Sequence, residues 1–94
     1  MYYVYMLTNK WHTVLYTGMT DCIEGRLTDH KNGRFDGFTK RYNCNQLVYF
    51  ETVATANAAA VREKELKGWT RARKNELIES VNPDWEDWSP RILR

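Results

Sequence analysis

Two short runs near the start of the chain constrain the fold most. Tyr2-Tyr3-Val4-Tyr5-Met6-Leu7 is an unbroken aromatic and aliphatic stretch. Thr13-Val14-Leu15-Tyr16-Thr17 repeats that character after a polar, turn-like gap over residues 8–12. Aromatic and β-branched residues suit a pleated, half-buried surface, so the two runs predict strands paired as an antiparallel hairpin, with Gly18 breaking the second. A third run, Gln46 to Val53 (QLVYFETV), predicts a strand whose Leu47-Val48-Tyr49-Phe50 centre is buried on both faces.

Helical patterns fill most of the remainder. Asp21-Cys22-Ile23-Glu24 has the form of a capping box and predicts a helix to about Asn32, stopped by Gly33. Residues 34–45 are polar and aperiodic and read as a long loop, a length commonly tied to function. Ala54 to Lys67 is alanine-rich and helical. Thr70 caps a further helix through Ser80 with Leu77, Ile78 and Val81 as its apolar stripe, and Asn82-Pro83 ends it. The tail Asp84-Trp85-Glu86-Asp87-Trp88 is expected to fold back through its two tryptophans. The order is ββαβαα: an α+β fold with a small three-stranded, mainly antiparallel sheet flanked by helices, one domain over residues 1–94.

Composition narrows the function classes. With 4 Trp, 6 Tyr and 3 Phe in 94 residues, the chain has enough large apolar side chains to build a core, which argues against disorder. No window approaches the roughly 18 apolar residues of a membrane span. Apolar character from Met1 stops at Leu7, too early for a secretory signal. Cys22 and Cys44 form no CxxC pair and have no His at ligand spacing, so two reduced thiols in a cytoplasmic protein are expected, and a zinc site is not.

The net charge of +2 hides an uneven distribution. Arg26, Lys31, Arg34, Lys40 and Arg41 face Asp29 and Asp36, five bases against two acids and a local +3. Arg62, Lys64, Lys67, Arg71, Arg73 and Lys74 face Glu63 and Glu65, a local +4, and residues 75–88 hold five acids and no base. Clustered bases of this kind can meet phosphates; they can equally be solvated helix faces.

Three groups of residues carry potential chemistry. Tyr3 and Tyr5 share one strand face by alternation, and Tyr16 lies on the partner strand just before Gly18, a residue that permits close approach. Arg26 and His30 are four apart on the first helix, at the margin of the Ile23–Leu27 stripe, where a guanidinium needs an acid or a bound anion. Ala56, Ala59, Ala60, Glu63 and Lys67 form one row of the next helix. A carboxylate in that row is either a ligand for a hard cation or a salt-bridge partner of Arg26, and spacing does not separate the two.

Tyr3-Val4-Tyr5, Tyr16-Thr17-Gly18, Arg26 and Glu63, in this order, resemble the signature of the GIY-YIG nuclease superfamily. The likeness is to its small single-domain group of excinuclease C-like and uncharacterised endonucleases. Residues 37–42, 47–51, 62–69 and 82–85 look like that group's characteristic stretches, so the resemblance covers nearly the whole chain. Tyr3 stands where the first motif has glycine, and Thr17 where the second has isoleucine.

The resemblance implies a DNA endonuclease, structure-selective and acting in repair or processing. Glu63 would hold one Mg²⁺ or Mn²⁺ ion, and Arg26 would clamp the scissile phosphate. Tyr5 is the first choice of base, with Tyr16 positioning the nucleophile and His30 as base, relay or phosphate ligand. Lys31, Lys40, Arg41 and Lys67 would contact the DNA backbone. A module of this size is expected to have poor sequence specificity, with targeting set by substrate shape or a protein partner. The alternatives are a nucleic-acid-binding module of the same fold without catalysis, and an adaptor whose aromatic tail docks a partner.

Overall fold

A computed structural model describes residues 1–33 and 37–93. The three strands are β1 (Tyr2–Thr8), β2 (Leu15–Thr20) and β3 (Gln46–Val53), and β1 lies in the middle of an antiparallel sheet of order β2-β1-β3. The helices are α1 (Ile23–Lys31), α2 (Phe38–Arg41), α3 (Ala56–Lys67), α4 (Arg71–Val81) and α5 (Ser89–Ile92). The predicted order is present with two short helices added. α2 falls inside the segment read as a long loop, and four residues are too few for a helical period to show. The loop's first residues, Arg34 to Asp36, lie outside the described residues, and so do the charges of Arg34 and Asp36 counted above.

Each face of the sheet buries its own cluster. Val4, Met6, Val48 and Tyr49 pack against Ala59 and Leu66 of α3 and Ile78 of α4. On the opposite face, Tyr5, Leu7 and Leu47 pack with Ile23 and Leu27 of α1 and with Cys44. Alternation along β1 divides the two sets, as the pleat requires. β3 carries an irregularity: Met6 pairs with Tyr49 and Leu7 with Leu47, leaving Val48 as the extra residue.

Capping differs between the helices. The Thr55 and Thr70 side chains accept from the amides of Ala58 and Arg73, as N-caps should. For α1 the cap is Cys22, with no side-chain bond, so the capping box at Asp21 does not form. Thr20 Oγ1 instead accepts from the Cys22 amide at 3.0 Å and supports the turn into the helix. Both cysteines are free thiols, Cys22 exposed and Cys44 buried; burial pushes the Cys44 thiol up to about 11.

The tail folds back as expected. Trp88 donates its backbone N–H to Leu47 O at 2.8 Å, and Asp87 Oδ1 accepts from Leu47 N at 2.9 Å, so residues 87–88 satisfy both backbone groups of Leu47 on the outer edge of β3. Phe50 and Trp88 meet edge-on at 5.9 Å. The hairpin loop is anchored too: Arg71 donates to the carbonyls of His12 and Thr13 at 2.7 and 3.1 Å. Among the described residues no helix is long and apolar enough to cross a membrane.

Candidate active site

β1, β2, α1 and α3 bring the singled-out residues to one region. Tyr5 pairs with Gly18 and Leu7 with Tyr16, so both tyrosines point from the same sheet face, with ring centroids 6.3 Å apart. α1 lays His30 against them, 6.2 Å from the Tyr5 ring and 5.7 Å from the Tyr16 ring. A 3.4 Å hydrogen bond joins Tyr5 Oη and His30 Nε2.

Gly18 does not break β2, which runs on to Thr20. A Cβ there would lie 2.7 Å from Tyr5 Oη and 2.9 Å from Tyr16 Cε2. Only glycine leaves room for both rings to lie against the strand. The close approach anticipated at this residue is made by the protein's own phenol.

Electrostatics follow from burial. Tyr5 is 1 % exposed. Burial lifts its phenol well above the ordinary range, and the nearby charges of Tyr16 and Glu63 add to that against the opposing effect of Arg26. Tyr5 is therefore a neutral phenol near pH 7, sealed from solvent. His30 is also buried, and its pKa is lowered from 6.5, chiefly by burial and then by the Arg26 charge, with Asp29 opposing. A lowered imidazole is neutral at physiological pH and can accept a proton.

Glu63 is half-buried, and its carboxylate accepts from Lys67 Nζ at 3.1 Å one turn on. Its influence on Tyr5 puts it on the site's side of α3. Of the alanine row, only Ala59 is buried; Ala56 and Ala60 are exposed, so the row marks the edge of the helix's packed face rather than its centre. Among the described residues no three His, Cys, Asp or Glu side chains converge to cage a metal. A cation at Glu63 would draw the rest of its shell from water and substrate oxygens, which suits Mg²⁺.

The four basic residues expected on DNA divide. Lys40 and Arg41 are exposed on α2, Arg41 with its guanidinium 5.5 Å from the Tyr42 ring, and Lys67 stands at the site beside Glu63. Lys31 is engaged within the molecule instead: it donates to Asn45 O at 2.9 Å and pairs with Asp87 at 3.6 Å, linking α1 to the tail. Two residues outside the expected set also belong here. Phe38 stacks on Tyr16 at 6.3 Å, and Lys74 lines, with Tyr16, Thr17, Phe38 and Lys67, a groove of about 280 Å³ beside the site. Lys74 was one of six bases in its segment, and nothing local distinguished it.

The GIY-YIG catalytic-domain model matches residues 1–76. The chain belongs to the GIY-YIG family. It is 37% identical over 92 residues to a UPF0213 protein of Clostridium perfringens, covering 98% of each chain. A UPF0213 protein of Haloquadratum walsbyi is 38% identical over 78 residues, 83% of this chain and 86% of that one. The solution structure of a UPF0213 protein from Bacillus halodurans superposes with a TM-score of 0.58 at 27% identity, over 93% of both chains. The GIY-YIG match makes this a member of a nuclease family. In this member the two departures from the motif are placed differently: Tyr3 packs on Phe50 at 6.0 Å, whereas Thr17 lines the groove.

Proposed function

We propose that this GIY-YIG protein is a divalent-cation-dependent endonuclease that hydrolyses DNA phosphodiester bonds, selecting its substrate by structure in DNA processing or repair. The reading rests on one observation: Tyr5, Tyr16, Arg26, His30 and Glu63 converge from four elements onto a single region beside an open groove. An adaptor needs none of that set.

Glu63 would hold Mg²⁺ or Mn²⁺, and the bound ion would supply positive charge to the scissile phosphate and the leaving oxygen. Arg26 grips the same phosphate through two parallel N–H bonds. Tyr16, half-exposed at the groove, orients the attacking water through its hydroxyl. As water attacks phosphorus and the phosphorus–oxygen bond to the leaving strand breaks, the released proton passes by way of the Tyr16 hydroxyl toward neutral His30, whose ring lies 5.7 Å from the Tyr16 ring. Tyr5, closed off from solvent, positions His30 through its hydrogen bond and does not itself meet water.

The test is cleavage by purified protein of branched, flapped, nicked and single-stranded DNA in Mg²⁺ or Mn²⁺. Cutting should disappear in Glu63→Ala while circular dichroism stays unchanged. Full activity in that variant would sink the metal assignment. Salt-sensitive DNA binding without cutting of any substrate would leave only a binding module of this fold.

A further inference from the structure

Three aromatic rings beside the site are left in water. Trp11, in the hairpin loop, is 74% exposed, Phe38 45% and Tyr42 38%. The other three tryptophans are packed: Trp69 against Arg62 and Arg73, Trp85 against His12 and Arg71, and Trp88 against Phe50. An indole held in water forgoes one of the largest apolar burials a side chain offers, and exposed apolar surface that forms a patch marks a binding surface.

The rings form such a patch. Tyr16, a member of the reacting cluster, stacks with Phe38 at 6.3 Å and an interplanar angle of 30°, and Phe38 meets Tyr42 at 4.8 Å. Tyr42 in turn shares with Trp11, Lys10 and Asn43 the wall of an open concavity of about 290 Å³. A line of aromatic side chains thus leads from the candidate active site along α2 to the hairpin loop. The two segments that carry it, residues 9–14 and 37–45, hold Lys10, Lys40 and Arg41 and no acid.

Exposed rings interleaved with cations are complementary to single-stranded nucleic acid, in which the cations follow the phosphates and each ring offers a face to a base. A duplex cannot use such a surface, because its bases already stack on one another and their faces are closed. We propose that Phe38, Tyr42 and Trp11 form a platform on which unpaired bases stack, so that the site takes a DNA strand whose bases next to the cut are unpaired. That the stacked strand is also the one cut rests on the nuclease reading. The ring contact between Tyr16 and Phe38 sets the first stacked base beside the scissile phosphate. Phosphate contacts carry little information about the bases, whereas ring contacts separate an unpaired strand from a paired one.

The experiment compares three labelled DNAs with the full chain: a blunt duplex, the same duplex carrying a single-stranded flap, and that flapped duplex with every flap base removed, which leaves an abasic strand of equal charge. Binding is read by fluorescence anisotropy without divalent metal, and cutting is read with Mg²⁺. The wild type should bind the flapped DNA about tenfold or more tightly than either of the others, since one stacked base is worth about that factor. Cutting should follow the same order. Phe38→Ala and Trp11→Ala should each lose about tenfold on the flapped DNA and nothing on the abasic flap, with unchanged salt slopes and melting temperatures. Trp11→Phe should restore most of the affinity. A fluorescent base analogue in the flap, dimmed by stacking, should be quenched by the wild type and less so by the alanine variants.

Equal affinity of the wild type for the flapped and abasic-flap DNAs would overturn the platform, even with the flap cut. Base-dependent binding that the variants abolish, in a protein that cuts nothing, would support the platform and refute the nuclease reading. Alanine variants that match the wild type on all three DNAs would overturn the assignment of these rings to bases and leave them to a protein partner.

Discussion

Glu51 and Glu63 are two carboxylates at the junction of the sheet and α3, and the molecule treats them oppositely. Glu51 is saturated. Its Oε1 accepts from Arg62 Nε at 2.6 Å, and its Oε2 accepts from Arg62 at 3.3 Å and from the Tyr49 hydroxyl. Burial pushes its pKa up, but the bonds from Arg62 and Tyr49 outweigh that and hold the carboxyl below its usual range. Arg62 is held further by Glu65 and by the face of Trp69, 5.2 Å away. Glu63, the next residue on the helix, has Lys67, which is half-exposed. A carboxylate with its oxygens filled is a strut; one with open valence is available to a cation.

The sharpest test of that contrast is a matched pair of variants. Glu63→Gln should lower the cleavage rate by about 10³-fold, the equivalent of several kcal/mol of lost charge stabilisation, with an unchanged melting temperature. Glu51→Gln should instead cost about 1–2 kcal/mol of stability in urea denaturation, with a far smaller loss of rate. If Glu51→Gln were as inactive as Glu63→Gln at an unaltered melting point, the distinction would collapse.

Gly18→Ala comes next. With 2.7 Å between the added Cβ and Tyr5 Oη, the Tyr5 ring must move away from His30. Overpacking of this kind costs about 1–3 kcal/mol, and cleavage should fall with it; a variant of native stability and rate would show that the ring contact is dispensable.

The pH response separates the Tyr5–His30 pair from both carboxylates. The fold lowers the pKa of His30, so the unfolded chain binds the extra proton first. Its contribution to stability is complete above the unfolded value of 6.5 and is lost as pH falls through the lowered folded value. Urea midpoints measured at stepped pH should show this loss in the wild type and not in His30→Gln, and the acid limb of the cleavage rate should lie below 6.5. The smallest effect belongs to Lys67→Ala. Removing an exposed i,i+4 partner costs about 0.3–0.5 kcal/mol, while titration with Mn²⁺ should show tighter metal dependence because Glu63 loses its competitor.

Much of this was legible locally. The period-two runs placed three strands and put Tyr3 and Tyr5 on one face, and Thr70 marked the start of α4. Spacing placed Arg26 and His30 on one side of α1. Other features depended on partners remote in the chain. Lys31 carries no local sign of its pairing with Asp87, and Glu51 looks like any strand-end acid until α3 delivers Arg62. Gly18 reads as a stop because the ring that occupies its missing Cβ comes from another strand.

What the sequence determined by itself was the order of elements, the composition of each sheet face and the family signature, because periodicity and capping are properties of neighbouring residues. Only the tertiary structure decided which tyrosine is sealed and which faces the groove, which carboxylate is consumed as a strut, and that Lys74 and Thr17 share a wall with Tyr16. Burial and charge pairing are set by atoms that meet across the fold, and the spacing of residues along one segment does not encode those meetings.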